Sequence, residues 1–217
     1  MQYHERIWEN LDWVTIILVG CLLCYALAKY LYPRRFQEFV LLPVTNKYFL
    51  VLGKGDEIKN PFNVLLFIPQ VLGVSLFIFL CYKVFREAPI AEPVLLYVQI
   101  CTAYAVFVLS KFMIEKLLGT IFNLETVINK YLYQKLSYRN FLAVVVFAIN
   151  VLFFYVVAPT GVLLLIVAIT VVILNAITLF YSYKTNRNLI FKQLFYFILY
   201  LCALEISPYI ILYKVLV

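Results

Sequence analysis

The chain has 217 residues, 65% of them hydrophobic and 13% charged, with a formal net charge of +7. A soluble domain carries about a quarter charged residues and about half apolar ones, so this composition excludes a water-solvated globule and makes lipid the solvent for much of the surface. The Lys and Arg residues sit between apolar runs, a pattern of membrane topology rather than of a nucleic-acid-reading face, and no nucleic-acid partner is expected.

The N-terminus, Met1-Gln-Tyr-His-Glu-Arg, lacks a basic region ahead of the first apolar run, and no small-x-small cleavage site follows that run. No cleavable signal peptide is therefore expected. The first predicted span runs from Trp13 to Tyr32 and is closed by Pro33-Arg34-Arg35. The connection from Pro33 to Pro61 is too apolar for a free loop and too short in each piece to span. Its aromatic and basic residues suit an interfacial position, with a turn at Gly53-Lys54-Gly55-Asp56. The second span is predicted from Phe62 to Tyr82 and the third from Val94 to Ser110.

Between Lys111 and Asn140 the pattern changes. Ile114, Leu117, Leu118, Ile121, Leu124, Ile128, Tyr131, Leu132 and Leu136 recur at three- and four-residue steps, with Lys116, Thr120, Asn123, Lys130 and Gln134 on the other side. That periodicity predicts an amphipathic cytoplasmic helix lying on the membrane, extending the third helix or packing beneath the bundle. The fourth span follows from Phe141 to Ala158, with a tight turn at Pro159-Thr160-Gly161, and the fifth from Val162 to Tyr183. The sixth, Leu189 to about Tyr213, contains Glu205 and Pro208 and is open to a kink or break there. Backbone polar groups in hydrocarbon must pair internally, so these runs predict one all-α domain over residues 1–217, a bundle of six transmembrane helices.

Basic residues set the orientation. Those after spans one, three and five are Arg34, Arg35, Lys47, Lys54, Lys59, Lys111, Lys116, Lys130, Lys135, Arg139, Lys184, Arg187 and Lys192, thirteen in all, against Arg6, Lys83, Arg86 and Lys214 opposite. The positive-inside bias puts the long connections in the cytoplasm and both termini outside.

A set of polar side chains lies inside the apolar runs: Gln70, Gln99, Asn150, Asn175 and Glu205, one in each of five spans. Counted from the expected cytoplasmic ends at about 1.5 Å per residue, all fall roughly 13–20 Å deep, near the middle of a hydrocarbon core of about 30 Å. The amides suit interhelical hydrogen bonding or a substrate or ion site. Glu205 must be protonated, paired or facing a cavity, because an ionised carboxylate in hydrocarbon costs several kcal/mol. Arg34 and Arg35 suit topology anchoring or contact with anionic lipid headgroups. Cys21-Leu-Leu-Cys24 has redox spacing but lies inside an apolar run, which favours packing. His4 is the single histidine. Bis-histidine haem ligation and His-based metal sites within one chain are therefore excluded, and no cofactor is expected. Neither a phosphate loop nor a nucleophile elbow occurs, and catalysis is not expected.

Asn46-Lys47-Tyr48-Phe49 and Asn60-Pro61-Phe62-Asn63-Val64-Leu65-Leu66-Phe67-Ile68-Pro69-Gln70, with Asn10-Leu11-Asp12-Trp13 and the Tyr32-Pro33-Arg34-Arg35-Phe36 junction, carry a resemblance. The chain resembles an uncharacterised multi-pass inner-membrane family of Bacteroidota, described as a domain of unknown function. That resemblance implies a bacterial inner-membrane location and brings no activity or site residues. The expected function is that of a non-catalytic subunit or organiser of a cell-envelope membrane complex, such as secretion or motility machinery, with membrane lipids and other membrane-protein subunits as partners. The alternatives are a small transporter or channel using Glu205, and a lipid-handling enzyme completed by a partner.

Overall fold

The structure, a computed structural model, describes residues 12–42, 60–86, 92–121 and 125–185. Six helices and no strand occur among them: α1 (Asp12–Leu31), α2 (Pro33–Val40), α3 (Pro61–Arg86), α4 (Pro93–Ile121), α5 (Glu125–Tyr155) and α6 (Gly161–Thr185). The expected sixth span, with Glu205 and Pro208, lies outside the described residues, as do residues 43–59 of the first connection. Four stretches are long and apolar enough to cross a membrane: Asp12–Leu31, Pro61–Arg86, Pro93–Ile121 and Tyr131–Tyr155.

Proline sets three of the six helix starts. Pro33 has no N–H to donate and pushes Tyr32 out of the helical region, to φ −132° and ψ 60°, so α1 stops and α2 begins at the next residue. Pro61 and Pro93 open α3 and α4 in the same first-turn position, where the missing N–H has no intrahelical partner to lose. Asn60 caps α3: its Oδ1 accepts from the Phe62 N–H at 3.1 Å and its carbonyl accepts from the Asn63 N–H at 2.9 Å.

Helix α3 is the hub, packed against α1, α4, α5 and α6, and α5 is the second core helix, touching α2, α3, α4 and α6. The core forms three clusters. At one end of α1, Ala28, Phe39, Leu42, Phe62, Leu66, Tyr133 and Tyr138 gather α1, α2, α3 and α5. At its other end Val14, Leu18, Leu76, Phe79 and Tyr97 join α1 to α3 and α4, with Trp13 edge-on to Phe79 at 5.3 Å. Across the bundle Phe77, Leu80, Val146, Phe153 and Leu164 join α3 and α5 to α6. The 20 residues of α1 thus define a layer about 30 Å thick, from Phe62 at one edge to Phe79 and Tyr97 at the other.

The second, third and fifth expected spans fall within helices, the first and fourth overrun α1 and α5 by one and three residues, and two helices run well past the expected ends. Helix α4 continues 11 residues beyond Ser110 to Ile121, and α5 begins at Glu125, 16 residues before Phe141. The stretch expected to be amphipathic, with extension of the third helix as one of its open placements, is divided between extensions of α4 and α5, with residues 122–124 outside the described set. Lys111 and Lys116 end the apolar run in the sequence without ending the helix, because nothing there breaks the backbone and Glu115 finds a cross-helix partner. The Lys135 ammonium donates to Glu115 Oε1 at 2.6 Å, with side-chain exposures of 12% and 2%. The stripe divides with the helices: Ile128 is 6% exposed on α5 but Ile121 is 69% exposed on α4. Gln134, expected on the polar side, is buried. One continuous helical stripe does not survive a reversal of chain direction.

Candidate functional site

The middle turns of α3 gather the polar interior. Pro69 leaves the Leu65 carbonyl without its usual N–H partner, and the next residue, Gln70, is fully buried. Gln70 Nε2 donates to the Tyr104 hydroxyl of α4 across 3.4 Å, a long contact. One turn on, Asn150 of α5, also fully buried, donates through Nδ2 to the Gly73 carbonyl at 2.7 Å. Tyr97 of α4 donates from Oη to the Leu72 carbonyl at 3.3 Å. Three side chains from two flanking helices therefore converge on one stretch of α3, two of them bonding to carbonyls of its backbone. Interhelical bonds of this kind are each worth about 0.5–2 kcal/mol in a membrane bundle.

The amides are only half used. Gln70 Oε1 and Asn150 Oδ1 are buried with no hydrogen-bond partner, as are Ser75 Oγ and Tyr25 Oη. Since both amide nitrogens are engaged, a group meeting these two carbonyl oxygens would have to be a hydrogen-bond donor or a cation.

The other polar residues picked out from the sequence lie elsewhere. Gln99 is exposed on the outer face of α4, away from Gln70 and Asn150. Gln99 sits six residues, about 9 Å, from the Pro93 end of α4. Asn175 is half-buried on α6, about 21 Å along from Gly161. Glu205 lies outside the described residues. Arg34 is exposed and Arg35 half-buried on α2, whose Phe39 packs between Phe62 and Phe141. Cys21 is buried and Cys24 half-buried, both as free thiols.

A second polar group stands at the junction of the bundle with the α4–α5 extensions. Glu115 and Lys135 form its ion pair, and Gln134, Ser137, Asn140 and Asn63 are buried nearby in sequence or packing. Ser137 Oγ donates to the Tyr133 carbonyl at 2.8 Å, while Asn140 has neither amide atom bonded. Sequence reading missed this group because all its members but Asn63 lie outside the apolar runs, where polar residues read as solvated. The spacing of 20 residues between Glu115 and Lys135 carries no signal until the helices are known to fold back on one another.

Among the described residues, fold and interior together define an all-helical bundle built on four apolar helices long enough to cross a membrane. The chain belongs to the family described as a domain of unknown function (DUF4271), which it matches over residues 14–216. No curated protein and no solved structure matches it.

Proposed function

We propose that the chain is a non-catalytic, multi-pass subunit or organiser of a bacterial inner-membrane complex in the cell envelope, of the kind that serves secretion or motility. In this reading it crosses the membrane six times, the sixth crossing being made by residues 189–213. Both termini lie outside and the amphipathic α4–α5 extensions lie in the cytoplasm. Lipids and other membrane-protein subunits are its partners, with Arg34 and Arg35 at headgroup level.

The observation that carries the reading is how the interior is spent. Gln70, Tyr97, Asn150 and the Glu115–Lys135 pair each tie one helix to another. Polar groups committed to such ties build a rigid scaffold. Catalysis needs acids, bases or nucleophiles held ready for a substrate. The test is affinity purification of the tagged chain from its native membrane in mild detergent. A stoichiometric membrane-protein partner is expected. Recovery of the chain with bound small molecules and no other protein would overturn the subunit reading.

One observation favours a second reading, a small transporter or channel. The partnerless oxygens of Gln70 and Asn150 stand on facing core helices within a turn of each other. Cation-dependent flux in vesicles containing the purified chain, lost in Glu205→Gln with abundance intact, would move that reading to first place.

A further inference from the structure

Gly73 is buried in the middle of α3, yet a Cβ built on it meets nothing within 4 Å beyond its own stretch of helix. Gly119 and Gly161 differ: there the same Cβ would touch Ile128 at 3.4 Å and Phe85 at 3.5 Å. Glycine inside a helix is disfavoured against alanine, and close packing of a neighbour is a common compensation. At Gly73 no side chain takes up the room. Because the Cα–Cβ direction tilts towards the helix N-terminus, the open space lies over the preceding turn, that of Pro69 and Gln70.

Three buried polar atoms without hydrogen-bond partners stand at this level: Gln70 Oε1, Asn150 Oδ1 and Tyr25 Oη. Gln70 is on the turn beneath the space. Asn150 Nδ2 donates to the Gly73 carbonyl at 2.7 Å, so Oδ1 of the same amide is also beside Gly73. That orientation is fixed, since only the nitrogen of the amide can donate to a carbonyl. Tyr25 comes from α1. Counted from Tyr32, whose ring meets Phe62 at 5.8 Å, Tyr25 is about 10 Å into the layer, and Gln70, counted from Phe62, is about 12 Å in. The Tyr25 ring also lies edge-on to Phe147, one turn before Asn150, at 5.5 Å. Leu66, Phe77 and Val146, on the neighbouring turns of α3 and α5, are buried, so packed apolar side chains bound this polar level on both sides.

We propose that the space beside Gly73 is the binding site of an internal water molecule, which donates to Gln70 Oε1 and Asn150 Oδ1 and accepts from the Tyr25 hydroxyl. Buried waters typically make about three hydrogen bonds to polar groups that lack other partners, and these three groups match the two donors and one acceptor position of a water. The occupant must donate, because both amide nitrogens are already engaged. It must also be neutral. Among the described residues the carboxylates are Asp12, Glu38, Glu92, Glu115 and Glu125, at helix ends, on α2 or in the α4–α5 extensions, so none stands at this level to balance a cation. The bound water joins α1 to α3 and α5, and through the Gln70–Tyr104 contact to α4. It also lies next to Pro69, where water commonly offsets the hydrogen bond that a proline removes from a membrane helix. The site goes beyond the subunit reading and holds whether or not the chain has partners.

The test is magnetisation transfer from water to the full chain in lipid bilayers, read by solid-state NMR. Labelling proline carbonyls with carbon-13 and glutamine with nitrogen-15 singles out Gln70 without any substitution, because Pro69-Gln70 is the one Pro-Gln pair of the sequence. Transfer to the Gln70 amides is expected several-fold above that to the backbone amides of Leu76 and Leu80, which are buried among apolar side chains. Transfer no greater than at those leucines would overturn the proposal. Thermal unfolding gives an independent reading. Gly73→Ala should lower the midpoint by a few degrees, because its methyl group takes the place of the water and strands both amide oxygens. Gly73→Ser should unfold above Gly73→Ala, because its hydroxyl supplies a donor there, although serine is the poorer helix former. The reverse order, alanine above both serine and glycine, is what a dry space would give and would equally sink the idea. Exchanging sodium for potassium or choline should leave the midpoint of the unmodified chain unchanged. Selective stabilisation by one metal cation would overturn the water assignment and hand these oxygens to the transporter reading.

Discussion

Helices α3 and α4 look alike in sequence and occupy opposite situations. They have 26 and 29 residues, both open on proline, and each carries a glutamine within an apolar run. In α3 the polar side chains Asn63, Gln70 and Ser75 are all buried, and four helices surround it. In α4 Gln99, Thr102, Ser110 and Thr120 all face outward. Thr102 and Thr120 satisfy themselves on backbone carbonyls of their own helix, at 2.9 Å to Val98 and 3.4 Å to Lys116. Hydropathy measures how apolar a segment is, and lipid and a protein interior are equally apolar, so it does not distinguish a hub from a rim. The direction of the few polar groups does.

The sharpest way to break the comparison is at the foot of α4. Lys135→Met leaves the Glu115 carboxylate buried without its cation, and a loss of about 3–5 kcal/mol in unfolding free energy is expected from detergent-denaturation titration. The double change Glu115→Leu with Lys135→Met should recover most of it, because no charge is then stranded. Similar losses for the single and double variants would show that the pair contributes by shape alone.

Next in size is the contrast between the two isoleucines of the old stripe. Ile128→Asn should cost about 2–4 kcal/mol, since it places an amide in a packed interior. Ile121→Asn should stay within about 0.5 kcal/mol of the parent in the isolated chain. Equal losses would mean that the outer face of α4 is covered within the chain itself.

Asn150→Leu should lower stability by about 1–2 kcal/mol in the same titration, through loss of the bond to the Gly73 carbonyl. Gln99→Leu should leave the isolated chain unchanged. A larger effect at Gln99 than at Asn150 would reverse the assignment of hub and rim. The smallest expected effect is at the start of α3: Asn60→Ala should cost about 1 kcal/mol by removing the cap on the Phe62 N–H, and Asn60→Ser should restore most of that.

These contrasts mark where the sequence is legible. The starts of α1, α3, α4 and α6 lie within a residue of where the apolar runs and prolines place them, because lipid-length runs and missing N–H donors act locally. The inner ends of α4 and α5 were not legible. Lys111, Glu115, Lys116, Lys135 and Arg139 interrupt the hydropathy of helices that continue, and the ion pair that makes this tolerable is a tertiary contact. Burial was legible only in part. Gln70 and Gln99 each stand as the single glutamine of an apolar run, and only the packing of α3 at the centre separates them. Gln134 reads as solvated by its neighbours in the stripe and is buried by the fold.

The unequal lengths of α1 and of the α4–α5 pair have a mechanical consequence. At 20 residues, α1 matches a bilayer core of about 30 Å with nothing to spare, and Pro33 ends it sharply. Helices α4 and α5, at 29 and 31 residues, overshoot the same core by about 13–17 Å. In the proposed topology α1 is therefore the depth gauge of the molecule. A thicker membrane strains α1 first, at fractions of a kcal/mol per Å of mismatch, whereas the long pair slides through with its apolar length in reserve. Bilayer thickness would then set how far the α4–α5 pair stands clear of the inner surface, with α1 as the fixed end of the ruler.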